Sequence, residues 1–215
     1  MKKIIILITA SLLSVSSFGQ KDPAAKVILD KLSEITKSHQ SIQVDFKIDY
    51  KNLKDNMFNS SEGSITMRGD KYYLNFMGVE TFFDGKTQWS YIKEVNEVNI
   101  IQPEPNDEDI FNNPKRLFTI YEDDFKYQHI NDMVENKVNY SIIDLYPEDV
   151  DEDFSRIRLQ INTDKYFLSS ATIFGKDGSH YSVSINKYNT SLKPDESVFT
   201  FNEKKYPGVE IVDMR

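Results

Sequence analysis

Apolar side chains recur at every second position over most of this chain, the period of a half-buried strand. Val44, Phe46, Ile48 and Tyr50 alternate with Asp45, Lys47 and Asp49. Tyr72, Leu74 and Phe76 share one face, and so do Trp89 and Tyr91. Ile157, Leu159 and Ile161 point one way while Arg156, Arg158 and Gln160 point the other, and Tyr181, Val183 and Ile185 repeat the device. Turn chemistry punctuates these runs. Asp84-Gly85 lies between two apolar segments, and Lys176-Asp177-Gly178 marks another hairpin. The polar stretch from Asn52 to Glu62 reads as a loop or long hairpin turn. Many short alternating strands with regular turns predict an incomplete, strongly curved antiparallel β-barrel.

Two segments break the period. Asp22 is a good N-cap and Pro23 a good first helical residue. Ile28, Leu32 and Ile35 then form an apolar stripe, so a helix should run to Lys37–His39. The pattern also changes after Pro103. Pro105 and Pro114 punctuate the next stretch, and Asn113-Pro114 opens a short helix with Leu117, Phe118 and Tyr121 on its apolar side. The fold class expected is mainly β with α. Two α-helical pieces, one N-terminal and one in an insert at about 104–121, would cover the open side of the sheet.

The first residues are a leader in form. Lys2 and Lys3 precede an apolar core from Ile4 to Leu13, and Ser17 and Gly19 are small residues at cleavage spacing. Residues 1–19 are expected to be a cleaved signal peptide and 20–215 a single domain, exported to the periplasm. The apolar core is short for the ~30 Å of hydrocarbon in a bilayer. There is no cysteine, so the fold must hold without disulfides and carries no lipid-modified cysteine. Cleavage would remove two of the 26 basic residues and none of the 34 acidic ones, deepening the formal −8. Such a balance argues against nucleic acid as a partner and against stable insertion in an anionic membrane.

Candidate chemistry is sparse. His39, His129 and His180 stand far apart without zinc-ligand spacing, and no nucleophile elbow or phosphate loop occurs. Asp149, Asp151 and Asp153 have metal-loop spacing, but Phe154 and Gln160 occupy the positions where a calcium loop needs Gly and Glu. No enzyme, metal or cofactor is expected. The aromatics, 13% of the chain, supply either a packed core or a cavity lining, and apolar character alone does not separate the two. Tyr72, Leu74, Phe76, Trp89 and Tyr91 are the candidate cavity residues, and Leu117, Phe118 and Ile120 the candidate underside of a lid. Arg68 shares its strand with Ile65 and Met67 and, on the residues alone, reads as a surface arginine with a snorkelling side chain.

The strand Gly63-Ser64-Ile65-Thr66-Met67-Arg68, the hairpin Asp84-Gly85-Lys86-Thr87-Gln88-Trp89, and the end Phe199-Thr200-Phe201 followed by Pro207-Gly208-Val209 together resemble the LolA family of periplasmic lipoprotein carriers. The resemblance implies a LolA/LolB-like fold and a carrier that buries the acyl chains of lipoproteins. Its partners would be acylated lipoproteins as cargo, an inner-membrane lipoprotein-releasing transporter as donor and an outer-membrane acceptor, with the carrier itself a monomer. It also implies that Arg68 hydrogen-bonds to a helical lid and latches the cavity shut, although Gly69 stands where the family has proline. A soluble lipid-binding or stress-sensing regulator on the same fold, or a hydrolase acting on envelope lipids, remains an alternative.

Overall fold

A computed structural model describes residues 21–104, 120–122 and 125–215. The leader expected at 1–19 and the lid residues Leu117 and Phe118 lie outside these, and only the backbone of Ile120 lies within them. Helix α1 spans Pro23–Ser38, with the Asp22 side chain accepting from the Ala24 N–H and Pro23 at its start. The cap and the end match the reading of the sequence. The stripe is rotated: Ala25, Leu29, Leu32, Ser33 and Thr36 are buried, while Ile28 and Ile35 flank them. Ala25, Ser33 and Thr36 are small enough for the helix to lie close to the sheet, a signal that a count of large apolar residues misses.

Twelve strands follow: β1 (Ser41–Asn52), β2 (Met57–Arg68), β3 (Lys71–Phe76), β4 (Val79–Phe83), β5 (Gln88–Ile92), β6 (Glu97–Ile101), β7 (Phe125–Glu135), β8 (Val138–Pro147), β9 (Phe154–Asn162), β10 (Phe167–Gly175), β11 (Ser179–Asn189) and β12 (Glu210–Asp213). They form one curved open sheet in the order β12-β6-β5-β4-β3-β2-β1-β11-β10-β9-β8-β7. The edges β12 and β7 do not meet, so the barrel is incomplete, as expected. Among the described residues the cover includes one α-helix. The polar stretch after Asn52 is mostly strand: Met57–Glu62 pairs residue by residue with Asn52–Lys47. Only residues 53–56 turn. Backbone pairing holds a polar segment that shows no hydrophobic alternation.

Directly opposed residues in antiparallel strands share a face, so the register assigns every side chain. The inner face carries Ile42, Val44 and Phe46 of β1, Ile65 and Met67 of β2, Ile143 and Leu145 of β8, and Leu159 and Ile161 of β9, all buried with Leu29 and Leu32 of α1 in one core. The chain's end departs from the expectation of antiparallel strands throughout. Phe199 closes a short 3₁₀ turn, Glu196–Phe199, and Phe201 lies outside any strand. β12 pairs parallel to β6, because residues 190–209 cross the outer face before joining that edge.

Candidate functional site

The inner face is apolar over its middle strands and turns polar toward its edges, with Gln88, Ser90 and Asn99 on β5 and β6 and Asp132 on β7, and its cover is anchored on one side. α1 packs against β7 and β10. Its N-terminus is tied to edge strand β7, with the Asp22 N–H donating to the Tyr127 carbonyl at 3.1 Å and the His129 N–H donating to Asp22 Oδ2 at 2.9 Å. These bonds, the amide of His129 foremost, hold the Asp22 carboxyl below its ordinary value. Tyr121 and Glu122 join the helix flank: the Tyr121 hydroxyl reaches Asp30 at 3.3 Å, and Glu122 accepts from Ser33 and Lys37, each at 3.2 Å. Burial drives the Tyr121 phenol well above the usual tyrosine range.

Away from the helix's anchor, the inner face of β3 and β4 presents Tyr72, Leu74, Phe76 and Phe83. Tyr72 is buried and donates to Gln88 Oε1 at 2.9 Å. Leu74, Phe76 and Phe83 are half-buried against the edge of the core. Gly63 makes this packing possible. A Cβ there would lie 2.6 Å from the Phe46 ring and 2.9 Å from the Asn75 carbonyl oxygen, so only glycine lets Phe46 lie across β2 to meet Phe76, ring centres 5.6 Å apart.

Trp89 and Tyr91 lie on the other side. Trp89 opposes Phe82, which opposes Tyr73, and Tyr73 faces away from Tyr72. The five proposed cavity residues are therefore divided: Tyr72, Leu74 and Phe76 inward, Trp89 and Tyr91 outward. A strap formed by residues 190–209 covers this outer surface. The Ser41 hydroxyl donates to the Leu192 carbonyl, Phe199 is fully buried, Phe201 sits against Phe82 and Tyr91 at 5.8 and 6.2 Å, and Tyr206 lies 4.3 Å from Tyr91. The Tyr206 hydroxyl donates to Glu80 at 2.5 Å. Burial first, then that carboxylate, drives its phenol well above the ordinary value. A cleft of about 690 Å³ opens along Ser197 and Thr200–Gly208.

Arg68 points to the strap. Its guanidinium donates to the Pro194 carbonyl at 2.6 Å, pairs with Glu196, and stands 5.2 Å from the centre of the Phe199 ring. Lys71 joins at 2.6 Å from Glu196. The Lys71 hydrogen bond, with the Arg68 charge behind it, holds the Glu196 carboxyl below its ordinary value. The carbonyl that the guanidinium meets belongs to the C-terminal strap, whereas most of the insert expected to form the lid lies outside the described residues. Sequence reasoning missed the strap as a partner because it lies some 126 residues from Arg68 and shows no period. Its one legible signal was the acidic–aromatic run Asp195-Glu196-Ser197-Val198-Phe199-Thr200-Phe201.

Residues 15–179 match the family model described as outer membrane lipoprotein carrier protein LolA. The chain belongs to the LolA family. The strap lies beyond the matched residues. An uncharacterised conserved protein from Thermus thermophilus has a similar fold, with a TM-score of 0.61 at 9% identity over 88% of this chain and 99% of that one. LprF from Mycobacterium bovis aligns with a TM-score of 0.50 at 16% identity over 83% and 99%. At these identities both likenesses concern fold alone. No curated protein matches the chain in sequence. Among the described residues of this LolA-family chain, no three histidine or carboxylate side chains gather as a metal site.

Proposed function

We propose that this chain is a periplasmic carrier that shields the acyl chains of lipoproteins on its inner face and moves them from inner-membrane release machinery to the outer membrane. Membership of the LolA family supports the class of cargo. The observation that carries the reading is the half-buried apolar floor of Leu74, Phe76 and Phe83 beside a fully packed core. Acyl chains cross water only when shielded, since each exposed methylene costs about 0.8 kcal/mol. A floor that is apolar yet incompletely covered can take them. Release needs only a moderate grip, which a preformed open surface supplies better than a sealed pocket. The chain acts by binding, with no catalytic step.

The test is loading with a purified triacylated lipopeptide, scored by co-elution, for the parent and for Leu74→Asp and Phe76→Asp. Charge on the floor should abolish loading while leaving the far-ultraviolet dichroism unchanged. Trp89→Phe on the outer face should load like the parent. Undiminished loading in both floor variants would overturn the reading.

A further inference from the structure

The outer face has two halves. The strap covers β1–β6 near Ser41, Arg68 and Phe82. The half formed by β7–β11, with the far ends of β1 and β2, carries a row of a different kind. Phe58 opposes Lys51, Lys51 opposes His180, His180 opposes Phe174, and Phe174 opposes Arg156. One step beyond the Leu145–Ile157 pair the row reaches Tyr146, which opposes Lys126. Seven neighbouring strands thus present Phe58, Lys51, His180, Phe174, Arg156, Tyr146 and Lys126 at one level. Aromatic and basic residues follow one another without a single acid, in a chain whose formal charge is −8.

Two charges in this row, Lys51 and Lys126, are left over from the fold's own needs. Asp144 is 2% exposed and requires a counter-charge. Arg158 supplies it through two bonds of 2.7 and 2.8 Å. Arg156 adds a second ion pair to the same carboxylate at 3.4 Å, with its guanidinium over Phe174, 3.9 Å from the ring centre. Lys51 and Lys126 are exposed and have no ion-pair partner among the described residues. Phe58 is 64% exposed.

The strap shows what such a surface holds. It crosses the same face as an acidic–aromatic segment with one 3₁₀ turn at Glu196–Phe199, Glu196 between Arg68 and Lys71 and Phe199 under the Arg68 guanidinium. We infer that the row from Phe58 to Lys126 is a docking surface for an extended acidic–aromatic segment of a protein partner. Its carboxylates would pair with Lys51 and Lys126, and a ring would lie on Phe58. Seven strands about 4.8 Å apart span about 29 Å, the length of roughly nine extended residues. This inference is independent of the cargo carried on the inner face.

The probe is a synthetic octapeptide with the sequence of residues 194–201, titrated into the ¹⁵N-labelled full chain. Saturable amide shifts are expected in β1, β7 and β9–β11 around the row. Affinity should fall about tenfold, or 1.4 kcal/mol, in the Lys51→Gln/Lys126→Gln double variant, and further in 0.5 M salt, at about a 4 Å screening length. Shifts confined to β3, β4 and the chain's own strap, no saturable shift, or equal affinity in parent and double variant would overturn the inference. So would phosphatidylglycerol vesicles that bind the parent but not the double variant, since the row would then serve lipid. Sedimentation of the parent as a dimer that the double substitution dissolves would give the row to a second copy's strap and overturn the separate partner.

Discussion

The two faces of β3–β5 are built from the same residue types and behave differently. Inward stand Tyr72, Leu74, Phe76 and Phe83, and outward stand Tyr73, Phe82, Trp89 and Tyr91. Aromatic content does not separate them. What separates them is the cover. Outward, the chain's own strap closes over Phe82 and Tyr91, through buried Phe199, the stacked pair Phe201–Tyr206 at 4.8 Å, and polar ties from Arg68 and Glu80, and leaves Tyr73 and Trp89 half-buried. The inward floor beyond the reach of the helix anchor stays half-buried. Which side of such a strand is covered is a tertiary fact that the strand's own sequence does not carry.

The largest expected effect tests the sealed side. Phe199 is fully buried between strap and sheet, so Phe199→Ala should cost about 3–5 kcal/mol, read from urea unfolding. A loss below about 1 kcal/mol would mean that the strap rests on the face without sealing it, and the contrast between the faces would collapse.

Arg68→Leu comes next. It removes the bond to the Pro194 carbonyl and the charge facing Glu196. A hydrogen bond from a charged group contributes about 1.5–3 kcal/mol, and Glu196, 67% exposed, brings the expected loss to the lower end of that range. Protease cutting within 190–199 should speed up, and Arg68→Lys should restore only part of the protection because an ammonium lacks the planar fork. Parent-like lipopeptide transfer with a loosened strap would separate this role from a latch on the 104–121 insert. Trapped cargo with an intact strap would favour the latch.

These contrasts also mark how far the sequence could be read. The Asp22 cap, the turns at Asp84-Gly85 and Lys176-Asp177-Gly178, and the alternation in β1, β9 and β11 are local, and they were legible. The face of the meander was not. Aromatics occupy both parities, as in Tyr72-Tyr73 and Phe82-Phe83, so periodicity alone could not say that Trp89 and Phe76 part company. Met57–Glu62 is polar and was illegible as strand because only its pairing with β1 holds it there. The strap has no period at all; long-range side-chain contacts place it.

Acidity should produce a smaller effect. Glu196 has a folded pKa below its ordinary 4.5. A depressed carboxylate contributes stability above its unfolded value, and that contribution is lost as pH falls through the folded one. Strap protection against amide hydrogen exchange, with the intrinsic pH dependence of exchange divided out, should therefore be constant above about pH 5 and weaken below 4.5. Glu196→Gln should flatten that part of the profile and lower the plateau slightly. A parent profile that does not change across this window would remove the carboxylate from the strap's attachment.

The smallest expected effect is none, and it bears most directly on the comparison. Trp89 is the sole tryptophan, and it faces outward with Phe82 and Ile100 opposite it. The sheet itself lies between this indole and the inner floor. An acyl lipopeptide bound at Leu74 and Phe76 should leave the emission maximum of Trp89 where it was, with loading shown separately by co-elution. Arg68→Leu, which loosens the strap on the outer side, should shift that maximum to the red. The pair of measurements assigns each event to its face. A blue shift or strong quenching on loading, with the strap intact, would put cargo on the outer surface and reverse the roles of the two sides of the sheet.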